Sequence, residues 1–100
     1  MNETTKNIDT LAATLQDTLG SSWKVSGHFD RIIAVTPFCD RIEITPLDYS
    51  YTDVRWALVP MQRSVAPVTV REMPGNDVTP DMTTGLRALS YRHHALPAAA

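Results

Sequence analysis

The chain has a single cysteine, Cys39, in 100 residues, so no intrachain disulfide can form and the fold rests on its core alone. Lysine is nearly as scarce, occurring only at positions 6 and 24. With a formal net charge of −2, the chain lacks the general basicity by which a protein grips a polyanion, and a nucleic-acid role would need a local patch. The four glycines lie at 20, 27, 75 and 85; so scattered, they build no phosphate cradle, and no nucleotide or other cofactor is expected. No apolar run approaches membrane-spanning length, and the polar start MNETTKNIDT carries no apolar signal core. The expected location is therefore the cytoplasm, or an assembly made there, with no membrane partner.

What is present is an ordinary globular composition, 43% hydrophobic and 20% charged, in a length that suits one domain. The stretch from Trp23 to Val59 reads as a sheet. Trp23, Val25 and Phe29 alternate with polar residues, and Gly27 marks a bulge or a close contact. Ile32 to Val35 is apolar on both faces, as in a strand covered on both sides, by the domain itself or by a neighbouring subunit. Ile42 and Ile44, then Val54, Trp56 and Leu58, alternate with polar residues and have one wet face. DRIIAVTP and DRIEITP form a short repeat whose Thr-Pro ends read as strand stops. Val68 to Val70 reads as a short edge strand, and Met61 to Ala66 as a loop.

Two helical patterns flank this sheet. Ile8, Leu11, Ala12, Leu15 and Leu19 share one stripe, with Thr4, Thr5 or Asn7 as the cap and Gly20 as the left-handed terminator. Thr10, Thr14 and Thr18 lie beside that stripe. After the Pro74-Gly75-Asn76-Asp77 turn, Thr79 reads as the cap of a second helix, with Pro80 and Asp81 in its first turn. Met82, Leu86, Leu89, His93 and Leu96 form its stripe, and Pro97 is expected to end it. The predicted fold is α+β: an N-terminal helix, an antiparallel sheet of about four to five strands and a C-terminal helix.

Candidate chemistry is thin. Cys39 would be a nucleophile only with His28 or His93 beside it; a small residue in a strand-connecting turn is the better reading. His28, Cys39, His93 and His94 match no zinc spacing, so no metal is expected. Asp48 and Asp53 bracket Tyr49, Ser50 and Tyr51, but without the glycine at the bend of a calcium loop. Arg87, Tyr91, Arg92, His93 and His94 make the last helix locally basic, which suits its dipole as well as it suits a phosphate backbone. No second basic cluster is evident in the linear sequence.

The order of a leucine-bearing helix (IDTLAATLQDTLG), an aromatic-led strand (WKVSGHF), a strand ending before Thr-Pro and an extended hairpin around RIEITPLD resembles the small tail-terminator and neck proteins of tailed bacteriophages. The resemblance is one of layout over roughly Ile8 to Val70, and the C-terminal second helix departs from it. It implies a ring homo-oligomer in the virion that closes the tail tube and meets the head connector, with other virion structural proteins as partners. It implies no catalytic residues and no small-molecule substrate. The contact residues expected on this reading are Tyr49, Tyr51 and Arg63 in the loops, and Arg87, Tyr91 and Arg92 on the last helix. The alternative is a small binding or regulatory module using that basic helix on nucleic acid or an acidic protein. A cysteine-dependent enzyme is a third class, resting on Cys39 and the histidines alone.

Overall fold

Ile8, Leu11, Ala12, Leu15 and Leu19 are all buried, and they are one face of helix α1, Glu3–Leu19. The computed structural model describes the backbone of residues 3–49, 54–61, 65–73 and 75–99, and the side chains of residues 8–47, 54–61, 65–73 and 75–90. The threonine stripe is exposed. Thr14 and Thr18 donate their hydroxyls to the carbonyls one turn back, at 3.0 and 2.9 Å. These bonds offset part of the helix penalty of β-branched residues, and packing supplies the rest. Gly20 takes φ +98° and donates its N–H to the Gln16 carbonyl, ending the helix as its position predicts. The start differs from expectation: Thr4, Thr5 and Asn7 lie inside the helix, since it already begins at Glu3.

Five strands follow: β1 (Lys24–Gly27), β2 (Ile32–Val35), β3 (Arg41–Tyr49), β4 (Val54–Pro60) and β5 (Val68–Glu72). They form one antiparallel meander in sequence order, and helix α2, Thr79–Ala99, closes the chain. Both helices lie on the same face of the sheet. Helix α1 packs on β1, α2 packs on β4 and β5, and the helices touch each other. Val25, Ile32, Ala34, Ile42, Ile44, Trp56, Leu58, Val68 and Val70 point at this layer and meet Leu15, Met82, Leu86 and Leu89 in one core. The α+β prediction holds, with the last strand at the sheet edge as read.

Gly27 is a close contact rather than a bulge: the β1–β2 register is regular, and a Cβ there would lie 2.8 Å from Asp9 Oδ1. Gly85 has the same role in α2, where a Cβ would stand 3.0 Å from Leu58 Cδ2. Close packing therefore offsets the helix penalty of this glycine.

Several boundaries depart from the sequence reading. Strand β1 ends at Gly27, because the His28 N–H donates to the Arg31 carbonyl and closes a turn. Phe29, read as a strand residue, sits at the hairpin tip and is 81% exposed. Pro46 does not stop β3, which runs on to Tyr49 with an irregularity between Pro46 and Asp48. The reason is positional: β2 pairs with β3 only as far as Ile44, so at Pro46 the strand has an open side where a missing N–H costs no ladder bond. Tyr49, expected in a loop, therefore lies in the strand, which Leu47, Asp48 and Tyr49 continue.

At α2, the Met82 N–H bonds to the Val78 carbonyl, which makes Thr79 the first helical residue rather than the cap. Asp77 accepts the Thr79 N–H at 3.0 Å, and this bond holds its carboxyl below the usual carboxylate range. Pro97 does not end α2, whose backbone stays helical to Ala99; a proline in the last turn forfeits one backbone bond near an end that is already short of partners.

The β2–β3 turn is built on Thr36. Its hydroxyl accepts the N–H groups of Phe38 and Asp40, and its carbonyl accepts that of Cys39. Cys39 is exposed at φ +70°, a left-handed conformation that strains a side chain. Cys39→Gly should therefore raise stability by about 0.5–1 kcal/mol, glycine's greater unfolded entropy taking back part of the relief. A thermal melt checks this, and a clear loss would mean that the thiol makes a stabilising contact.

Candidate assembly interface

The helices cover one side of the sheet, and among the described residues no layer covers the other. Strand alternation fixes what that outer side carries. Lys24, Val35 and Arg41 stand in one row across β1, β2 and β3. Ser26, Ile33, Glu43 and Val59 form the next row, and Thr45, Ala57 and Thr69 the third. Beyond them, Asp48, Arg55 and Arg71 form a fourth row across β3, β4 and β5. Arg31, just before β2, joins this face: its Nη1 donates to Glu43 Oε1 at 3.3 Å and its Nε to Asp30 Oδ1 at 3.1 Å. The bond from Arg31 holds the Asp30 carboxyl below its ordinary range. Pairs this exposed add little stability.

The face is thus apolar in the middle and basic around it. Ile33 and Ala57 are each only 8% exposed, shielded by the flanking side chains, and Val59 is 36% exposed. The expectation that Ile32 to Val35 is covered on both sides is half met: Ile32 and Ala34 face the helices, whereas Ile33 and Val35 face this open side. The absence of a second basic cluster is corrected here. Lys24, Arg31, Arg41, Arg55 and Arg71 are far apart in sequence and share one surface only through the register. The signal was available in the strands themselves, since Lys24, Arg41, Arg55 and Arg71 each stand next to an inward-facing residue. Phe29, Phe38, Leu47 and Met61 add exposed apolar area at the tips and ends of the strands.

The residues expected to make contacts fare unevenly. Tyr49 ends β3 with its side chain outside the described residues, and Tyr51 and Arg63 lie outside them altogether. Tyr91 and Arg92 belong to α2 by backbone alone. Arg87 is engaged within the molecule: its Nη2 donates to the Thr18 carbonyl at 3.1 Å. It places a cation at the C-terminus of α1, where the dipole favours one, and ties the helices together.

Among the described residues, the chemical candidates do not converge. His28 follows β1 at one end of β2 and Cys39 lies beyond the other end, about 13 Å of strand between them. His28 Nε2 is 3.3 Å from the Ser26 hydroxyl. The side chains of His93 and His94 are outside the described residues. Among the described residues, no three His, Cys, Asp or Glu side chains gather as a metal site would require. One cleft of about 270 Å³ opens between α1, the start of α2 and the β4–β5 edge, lined by Thr10, Thr14, Trp56, Glu72, Asp77 and Thr79 among others. Trp56 is 1% exposed there, and its Nε1–H finds no acceptor among the described residues. That nitrogen is itself closed off from solvent, so among the described residues the side chains lining the cleft offer a ligand hydroxyls and two carboxylates.

No family model, curated protein or solved structure matches the chain. Among the described residues, no helix is long and apolar enough to cross a membrane.

Proposed function

We propose that the protein is a non-enzymatic structural subunit that assembles with copies of itself. The observation that carries this reading is the outer sheet face, where Ile33, Val35, Ala57 and Val59 form an apolar centre that the chain's own helices leave uncovered. An apolar centre within a polar rim is the anatomy of a protein–protein interface. The exposed Phe29 at the β1–β2 tip supplies an aromatic side chain of the kind that carries interface energy. The resemblance in layout makes a phage tail-terminator or neck ring, joining tail tube to head connector in the virion, the specific form of this proposal.

A second reading, a small module that binds an acidic partner, draws support from the basic rim of the same face. Of the basic residues on the last helix, Arg87 is used internally, and the side chains of Arg92, His93 and His94 lie outside the described residues.

Val59→Arg, at a position 36% exposed, separates a covered face from a bare one. The new side chain projects from the open side, so the isolated subunit should keep its circular dichroism and melt within about 1 kcal/mol of wild type, as surface changes generally do. The large species seen by native mass measurement should disappear. If the variant assembles as wild type does, the outer face is not the contact.

A further inference from the structure

The two sides of the molecule differ in charge. The outer sheet face presents Lys24, Arg31 and Arg41 around its apolar centre; of its acidic members, Glu43 and Asp30 are bonded to Arg31, and Asp48 stands opposite Arg55 at the far end. The opposite side, the exposed surface of the helix layer, carries Asp9 and Asp17 on α1 and Asp77 and Asp81 at the start of α2. Among the described residues its one basic side chain is Arg87, which donates to the Thr18 carbonyl.

We infer that the partner of the outer sheet face is the helix layer of a second copy, docked head to tail. This rests on the reading of the protein as an assembly subunit and adds which surfaces meet. A contact between unlike surfaces leaves the pair with one free surface of each kind, so it propagates, and it closes into a ring if the rotation between copies permits. Two observations favour it over other occupants. A polyanion such as nucleic acid would meet not only the basic rim but also the Glu43 carboxylate and the apolar centre within it. Growth of the sheet edge to edge is blocked on one side. At β1 the Gln16 amide accepts the Val25 N–H at 2.8 Å and donates to the Trp23 carbonyl at 2.9 Å, occupying groups that a further strand would need.

A charge-swap experiment tests the inference. One variant carries Lys24→Glu and Arg41→Glu, two exposed positions flanking Val35. The other carries Asp9→Lys and Asp17→Lys, exposed on α1. Each should fold by circular dichroism, and each alone should lose assembly at least tenfold in concentration. In the first both surfaces are then acidic, and in the second both are basic. Mixed one to one, they should recover the large species, because copies that alternate restore every opposite-charge contact; raising the salt should weaken it again.

Assembly of both variants at wild-type concentration would overturn the docking while leaving the subunit reading intact, with the open β5 edge as the remaining join. Loss in both variants without recovery on mixing would overturn the pairing of these two surfaces. A wild type that stays monomeric but shifts duplex DNA on a gel, with the shift lost in Lys24→Glu/Arg41→Glu, would overturn both the inference and the reading beneath it.

Discussion

Leu15→Ala should lower the stability of the fold by about 2–5 kcal/mol, against a total of about 5–15 kcal/mol for a domain of this kind. Leu15 is fully buried in the core beneath α1, near its middle, so its removal leaves a cavity that neither the helix nor the sheet is free to close. Thr14, its neighbour in sequence, is exposed and bonds only to the Thr10 carbonyl. Thr14→Ala should be neutral or stabilising by roughly 0.5 kcal/mol, alanine being the better helix former. Chemical denaturation of the pair provides the check. Equal effects would mean that the buried face of α1 is not the one described.

The second large effect is expected at Gln16, to which the sequence alone gives no prominence. Its Nε2 donates to the carbonyls of Gly20 and Trp23, each at 2.9 Å, and its Oε1 accepts the Val25 N–H at 2.8 Å. One side chain thus fastens the end of α1 to the outer edge of β1 and covers that edge. Gln16→Ala should cost about 1–3 kcal/mol, since each lost bond contributes a net ~0.5–1.5 kcal/mol and water replaces part of them. It should also make the protein prone to aggregate through the uncovered edge. Gln16→Glu is the sharper variant. It keeps the acceptor for Val25 but sets a carboxylate against two carbonyls, which favours the protonated form, so its stability should improve as the pH falls toward the free glutamate value of about 4.3 and the new carboxyl gains a proton to donate. If Gln16→Ala melts as wild type does, the three bonds contribute nothing net.

The sequence made the helix faces and strand alternation legible because each is written in local periodicity. Leu11, Leu15 and Leu19 repeat at helical spacing; Ile42 and Ile44, or Trp56 and Leu58, alternate as a half-buried strand must. Long-range geometry left less trace. Pro46 reads as a stop until the end of β2 is known, because only then does its missing N–H lie on an open side. Phe29 fits the alternation of β1, yet a turn bond from His28 to Arg31 turns it out at the hairpin tip. The basic face was hidden for the same reason: five cations separated by 7 to 16 residues come to share one face only through strand register. Gln16 reads as one more polar residue on a helix, and its role exists only because β1 passes beside it.

The central claim is that the outer sheet face is covered by another copy, and sedimentation equilibrium of the wild-type protein tests it most directly. The account predicts a mass several times the 11.1 kDa of one chain, rising with protein concentration and falling as salt is added. A mass of 11.1 kDa at every concentration and at low salt would contradict it.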